Sequence, residues 1–147
     1  MKEGNKLYVL DACVVLKWFL PPEEDVEKAE TLKRDFRDGR IDLMVPEYLI
    51  VEACNTVARK MPDFLVFVFN KLNQIFIPHR LNEEVVLLAG QLVARYPKIS
   101  FYDAAYHALA LTKSATFVTS DEKYYQLVKE EGCILLLKNY FSNESDA

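Results

Sequence analysis

Leu7-Tyr8-Val9-Leu10-Asp11-Ala12-Cys13-Val14-Val15-Leu16-Lys17-Trp18-Phe19-Leu20 is the stretch whose reading decides the fold. Four apolar strand formers run up to an acid, and Asp11 opens a helix-compatible segment from Ala12 to Leu20 that Pro21-Pro22 stops. A strand feeding straight into a helix is the opening of an α/β unit.

The same alternation continues along the chain. Val26, Ala29, Leu32 and Phe36 recur at helical spacing among charges, which predicts an amphipathic helix from Glu24 to Asp38 with Gly39 as its stop. Ile41 to Val45 reads as a second strand. Pro46 suits a first helical turn, and the helix continues through Tyr48 to Lys60 until Pro62. Gln74 to Pro78 reads as a third strand, and Asn82 caps a helix from Glu83 to Tyr96. Ser100 starts a helix to about Lys113, Thr116 to Val118 is a strand, Asp121 to Glu131 a helix ended by Gly132, and Cys133 to Leu137 a last strand. Strands that are continuous apolar runs imply a mostly parallel sheet covered on both faces, a three-layer α/β/α domain.

Phe64-Leu65-Val66-Phe67-Val68-Phe69 is apolar on every side, so periodicity alone does not choose between helix and strand. We read it as a helix. Its excess apolar surface is covered either by a homodimer partner or by complete burial within the domain.

With 147 residues, 51% of them hydrophobic, the chain can bury a core as a single unit, expected over residues 1–141 with a mobile tail at 142–147. Cys13, Cys54 and Cys133 lie far apart in apolar surroundings, which suits reduced, buried thiols in a cytoplasmic protein. A zinc site would want a Cys-x-x-Cys pair, which is absent. No stretch reaches the roughly 20 apolar residues of a membrane span. The net charge of −4 excludes a broadly basic nucleic-acid coat. It does not exclude a nucleic-acid enzyme, because bound cations reverse the potential locally and Lys17, Arg59, Lys60, Arg80 and Lys123 could meet phosphates around such a site.

Asp11, Glu52, Asp103 and Asp121 each stand at a hydrophobic boundary or within an apolar helical pattern, where an uncompensated charge costs several kcal/mol or more. Asp11 and Asp121 follow predicted strands directly, at the edge where open parallel sheets bind ligands. Asp103 lies in the first turn after Ser100, and Glu52 about a turn and a half into its helix. Capping accounts for three of them separately: Asp11 and Asp121 before helices, and Asp103 in the capping box Ser100-Phe-Tyr-Asp103. It does not account for Glu52, inside Tyr48-Leu-Ile-Val-Glu-Ala-Cys-Asn.

A shared cation accounts for all four. Oxygen ligands without clustered His or Cys select Mg²⁺ or Mn²⁺, whose natural chemistry beside phosphate is phosphodiester hydrolysis. Asn55 could orient a ligand or bind phosphate, and Thr119 and Ser120 could supply supporting hydrogen bonds, although surface amide and helix cap are equally natural roles for them. His107, one turn after Asp103, is assigned to packing or a neighbour's hydrogen bond, and His79 in Pro-His-Arg has no constellation around it.

Four segments then carry a resemblance in order: Leu10-Asp11-Ala-Cys-Val-Val-Leu-Lys-Trp-Phe-Leu20, Pro46-Glu-Tyr-Leu-Ile-Val-Glu52-Ala-Cys-Asn55, Phe101-Tyr-Asp103-Ala-Ala-Tyr-His-Ala-Leu-Ala110 and Val118-Thr-Ser-Asp121. Together they resemble the successive motifs of PIN-domain ribonucleases, especially VapC-type toxins of toxin-antitoxin modules, over nearly the whole chain. The resemblance implies a PIN-like fold and a Mg²⁺- or Mn²⁺-dependent endoribonuclease acting on RNA. Its acidic quartet would be Asp11, Glu52, Asp103 and Asp121, supported by the hydroxyl of Thr119 or Ser120. It also implies a homodimer and, for a toxin, a small antitoxin that blocks the site; RNA processing is the other role found in such a family. A receiver-like binding module is the rival from another class. It would want an acidic pair after the first strand, where Asp11 is instead followed by Ala12-Cys13, and a late lysine, for which Lys138 is the sole candidate.

Overall fold

The computed structural model describes residues 1–21 and 24–142. Among them, β1 (Lys6–Leu10), β2 (Ile41–Met44), β3 (Thr116–Thr119) and β4 (Ile134–Leu136) form one all-parallel sheet in the order β2-β1-β3-β4. In β1, Tyr8, Val9 and Leu10 are buried in succession, as are Phe117, Val118 and Thr119 in β3. Successive side chains point to opposite faces, so unbroken burial means that both faces are covered. The expected α/β/α layering follows.

The helices that cover the sheet are α1 (Ala12–Leu16), α2 (Val26–Arg37), α3 (Tyr48–Lys60), α4 (Leu65–Ile75), α5 (Glu83–Arg95), α6 (Phe101–Thr112) and α7 (Glu122–Val128). Helix α6 is the central one: every residue from Ala104 to Ala110 is buried. A helix apolar all round belongs inside, and its four alanines let it approach the sheet and α5 closely. The chain order matters for function. From β1 the connection goes to β2 on one side, and the next strand, β3, lies on β1's other side. The gap between the carboxyl ends of β1 and β3 is therefore the topological switch point, where such sheets bind ligands.

Two expectations need correction. Gln74 to Pro78 is not a strand: Gln74 and Ile75 finish α4, because Val68 and Leu72 are buried one helical turn apart and carry the helical face onward. Phe76 then turns into the core and stacks on Trp18, with ring centroids 6.1 Å apart. Beyond it, pairing with the end of β2 is reduced to one bridge, His79 N donating to Val45 O at 2.9 Å and Glu47 N to His79 O at 2.8 Å. Pro46 and Pro78 lack the N–H that a longer ladder would need. Cys133, expected to be a buried thiol, is instead exposed in a turn where it and Gly132 have φ of 53° and 76°. Cys13 and Cys54 are half-buried.

Phe64 to Phe69 is helical, in a 3₁₀ turn (Pro62–Phe64) followed by α4. Val68 faces the core, while Phe64, Val66, Phe67 and Phe69 are exposed. Complete burial within the domain is thereby ruled out. None of the helices among the described residues is long and apolar enough to cross a membrane.

At the other end of the chain a buried acid that no sequence pattern marked ties α2 to the C-terminal segment. Asp35 is 0% exposed and accepts from Tyr140 Oη at 2.6 Å, Ser142 Oγ at 2.8 Å and Arg40 at 3.3 Å. Lys28 adds a hydrogen bond to Tyr140 O at 2.6 Å and lies over the Phe141 ring. Of the expected tail, Ser142 is held by this network, and residues 143–147 lie outside the described residues. Removing the phenol with Tyr140→Phe leaves a buried charge short of a donor, which should lower unfolding stability in urea by about 2 kcal/mol; an unchanged midpoint would contradict the clamp.

Candidate active site

Asp11 sits where β1 ends. Its backbone N donates to Val118 O at 3.1 Å, continuing the pairing with β3, and its side chain caps α1 by accepting from Cys13 N at 3.2 Å. The other carboxylate oxygen accepts from Thr119 Oγ1 at 2.8 Å, a buried hydrogen bond across the two strand ends. Thr119 Oγ1 accepts in turn from Asp121 N at 3.1 Å, and the Asp121 carboxylate caps α7 through Tyr124 N at 3.0 Å. The capping roles and the convergence are thus compatible: a cap fixes where the carboxylate stands without using all its lone pairs.

A pocket of about 470 Å³ opens beyond these strand ends, lined by Asp11, Glu52 and Asp121 together with Ser120, Thr56, Lys17 and Lys60. Glu52 reaches it from α3, where it receives a hydrogen bond from Tyr106 Oη at 3.1 Å. Asp103, half-buried in the first turn of α6 behind its Ser100 cap, does not line the pocket. It is nonetheless near enough for its charge to act on Glu52 and for Asp11 and Asp121 to act on it. Asn55 is exposed and accepts from Arg59 at 3.4 Å; Thr56 and Lys60 line the pocket where Asn55 does not. Lys17 donates to Glu24 O at 2.8 Å. With Lys123 it also lines an adjoining mixed-charge depression of about 640 Å³ that shares Ser120 and Asp121.

Crowding acids into a partly dry space makes ionisation costly. Burial, opposed by the Tyr106 hydrogen bond and reinforced by the charges of Asp11 and Asp103, pushes the Glu52 carboxyl up to about 7. Burial with the neighbouring Asp11 charge, eased by Ser100 and worsened by Asp121, raises Asp103 to about 6. Asp11 is raised as well, chiefly by burial and against the hydrogen bonds from Thr119 and Cys13.

Several observations bear on whether a divalent cation fits. The acids and hydroxyls offer oxygen donors, while burial pushes the Cys13 thiol in the same lining up to about 12; Asp11, Glu52 and Asp103 are driven toward neutrality, chiefly by burial; and Ser120 Oγ, buried at the pocket wall, has no hydrogen-bond partner among the described residues. A hard cation would relieve the acids and the serine hydroxyl. Among the described residues, no three His, Cys, Asp or Glu side chains already form a compact metal cage. The donor chemistry fits Mg²⁺ or Mn²⁺, with Asp11, Glu52 and Asp121 in the pocket lining and Asp103 outside it. His107 takes no part: buried, it bonds Tyr124 Oη at 3.0 Å and Gly132 O at 2.8 Å. Tyr106 is the participant that sequence reasoning missed, because its apolar, helical context reads as core.

Comparison with known proteins bears on the family and the fold. The family model described as the PIN domain matches residues 8–130. Among solved structures, the chain is similar to FitAcB from Neisseria gonorrhoeae, at 17% identity and TM-score 0.68, covering 90% of this chain and 99% of that one. It is also similar to VapBC2 from Rickettsia felis bound to a DNA fragment from its promoter, at 12% identity and TM-score 0.66, covering 88% and 96%. A third is VapC20 from Mycobacterium tuberculosis, described as a sarcin-ricin-loop-cleaving toxin, at 13% identity and TM-score 0.65, covering 86% and 95%. At such identities the likeness speaks for the fold. No curated protein sequence matches the chain.

The raised carboxyls have a stability consequence with a definite sign. Between the ordinary Glu value of 4.5 and about 7, the unfolded chain has released the Glu52 proton while the folded chain keeps it, so stability falls as pH rises through that window. Asp103, going from 3.8 to about 6, acts in the same direction. In EDTA, Glu52→Gln should therefore melt at a higher temperature than the native protein at pH 7.5, with the advantage shrinking toward pH 5. Equal melting temperatures across that range would contradict the electrostatic account.

Proposed function

The chain belongs to the PIN domain family, and from that premise we propose that it is a metal-dependent endoribonuclease, the toxin of a VapBC-type toxin-antitoxin pair. The family match sets aside the receiver-like reading. The observation that carries the proposal is the pocket at the switch point, lined by acids from the ends of β1 and β3 and from α3 beside a serine hydroxyl with no partner among the described residues. Asp11, Glu52, Asp103 and Asp121 would hold Mg²⁺ or Mn²⁺. When bound, such an ion lowers the pKa of water and offsets charge on phosphoryl oxygens.

The chain's own residues do the rest. Thr119 and the Cys13 amide each engage one oxygen of Asp11, so its carboxylate is oriented before any ligand arrives. Lys17 and Lys60 in the pocket wall, with Lys123 beside it, provide positive charge for an RNA backbone in a protein whose net charge would otherwise repel it. RNA as the substrate is supported by the likeness to the sarcin-ricin-loop-cleaving toxin, and a small antitoxin, which would block the pocket, by the likeness to VapBC2. The place of action is then the cytoplasm.

We assign the exposed face of α4 to a homodimer. Phe64, Val66, Phe67 and Phe69 are exposed, and Phe64 and Phe67 line a groove of about 320 Å³ together with Trp18, Phe19, Leu20 and Met61. Sedimentation should show a dimer that Phe67→Glu converts to monomer; a native monomer at micromolar concentration would remove this assignment.

Labelled single-stranded RNA incubated with the purified protein should be cut internally in Mn²⁺ and left intact in EDTA. Asp11→Asn or Asp103→Asn should each lower the rate by about a hundredfold or more, the scale on which removing a preorganised charge acts. Undiminished cleavage by both variants would refute the mechanism.

A further inference from the structure

Three of the four acids owe their placement to their own strand ends and helix starts. Asp11 and Asp121 accept backbone N–H groups as caps, and Asp103 sits in the first turn of a helix capped by Ser100. Glu52 has no such support. It lies inside α3, where backbone donors are consumed by the helix, and its side chain has three rotatable bonds to settle. Among the described residues, one side chain is hydrogen-bonded to its carboxylate: Tyr106, whose hydroxyl donates to Oε2 at 3.1 Å.

Tyr106 is built to be immobile. It is 0% exposed, its ring stacks on Phe117 of β3 at 5.6 Å with an interplanar angle of 7°, and Tyr48 packs edge-on against it at 4.9 Å. A buried phenol needs an acceptor, and a clamped ring can offer its hydroxyl in few directions. Asp103 and Tyr106 are three residues apart on α6, so one helix face carries both an acid and the donor that engages another acid. That face fixes α3 and α6 relative to each other at the pocket, through residues 54 positions apart in sequence.

We propose that Tyr106 is a positioning residue for Glu52, holding one carboxylate oxygen so that the group is presented to a divalent cation without first losing side-chain freedom. The proposal rests on the metal-dependent reading above. Donors behind metal-ligating carboxylates set their orientation, and their loss commonly weakens metal affinity by about 10- to 100-fold.

Calorimetric titration of Mn²⁺ into cation-stripped protein, without RNA, tests this apart from catalysis. Tyr106→Phe keeps the ring stack and removes only the hydroxyl; it should weaken Mn²⁺ binding about tenfold. In the Glu52→Gln background, itself weaker than native, the same substitution should change affinity no further. Tyr48→Phe, which removes a neighbouring phenol bonded to Tyr102 O instead, should bind as native does. If Tyr106→Phe matches the native affinity while Glu52→Gln is impaired, the positioning role is overturned and the metal site stands. Equal losses from Tyr106→Phe in both backgrounds would show a general packing effect and overturn it too. If Glu52→Gln binds as tightly as native, Glu52 does not hold the ion and the positioning role is overturned while the metal site stands; if the native protein takes up no Mn²⁺, the metal-dependent reading fails and this role with it.

Discussion

The hydrogen bond from Thr119 to Asp11 is the constraint on which the carboxyl edge of the sheet depends. It joins the ends of β1 and β3, the two strands that flank the switch point, and it does so on a nearly buried carboxylate. Because Thr119 also accepts from the Asp121 backbone, a single hydroxyl sets two acids relative to each other. A charge taken out of water costs several kcal/mol unless its hydrogen bonds are met. The fold meets those of Asp11 with a cap and a threonine, and leaves the mutual repulsion of the acids uncancelled. That residual repulsion is what a cation at the proposed site would offset.

Much of this was legible in the primary structure because it is local. A strand of apolar residues ending in Asp11, the Ser100 and Asn82 caps, and the stops at Gly39 and Gly132 are short-range signals, and each element formed close to its expected place. Glu52 was marked by its apolar helical surroundings. What escaped was long-range or contextual. Tyr106 looks like core from its neighbours, and its partner Glu52 is on another helix. Asp35 sits among charges in an amphipathic helix, and the long-range return of Tyr140 and Ser142 to it, which helps to satisfy it in burial, is invisible in its sequence neighbourhood. Gln74 to Pro78 misled because β-branched and aromatic residues near a proline mimic a strand, while the buried pair Val68 and Leu72 had already committed the segment to helix. Cys133 was misjudged from apolar sequence neighbours, although the preceding glycine turns it outward.

The charge distribution would also reconcile the acidic protein with the RNA substrate proposed for it. Lysines at the pocket and its adjoining depression are interleaved with the acids, so the local field depends on whether the carboxylates are compensated. A cation would convert the same surface from repelling to attracting phosphate. Substrate binding and metal loading would then be coupled through electrostatics without a change of fold.

Diffraction from crystals grown with Mn²⁺, recorded so that the metal's anomalous signal is visible, addresses the central claim directly. A peak is expected between the carboxylates of Asp11 and its neighbours at the carboxyl ends of β1 and β3, within coordination distance of at least two of the four acids. Manganese bound only elsewhere on the surface, with this pocket empty of anomalous signal, would contradict it.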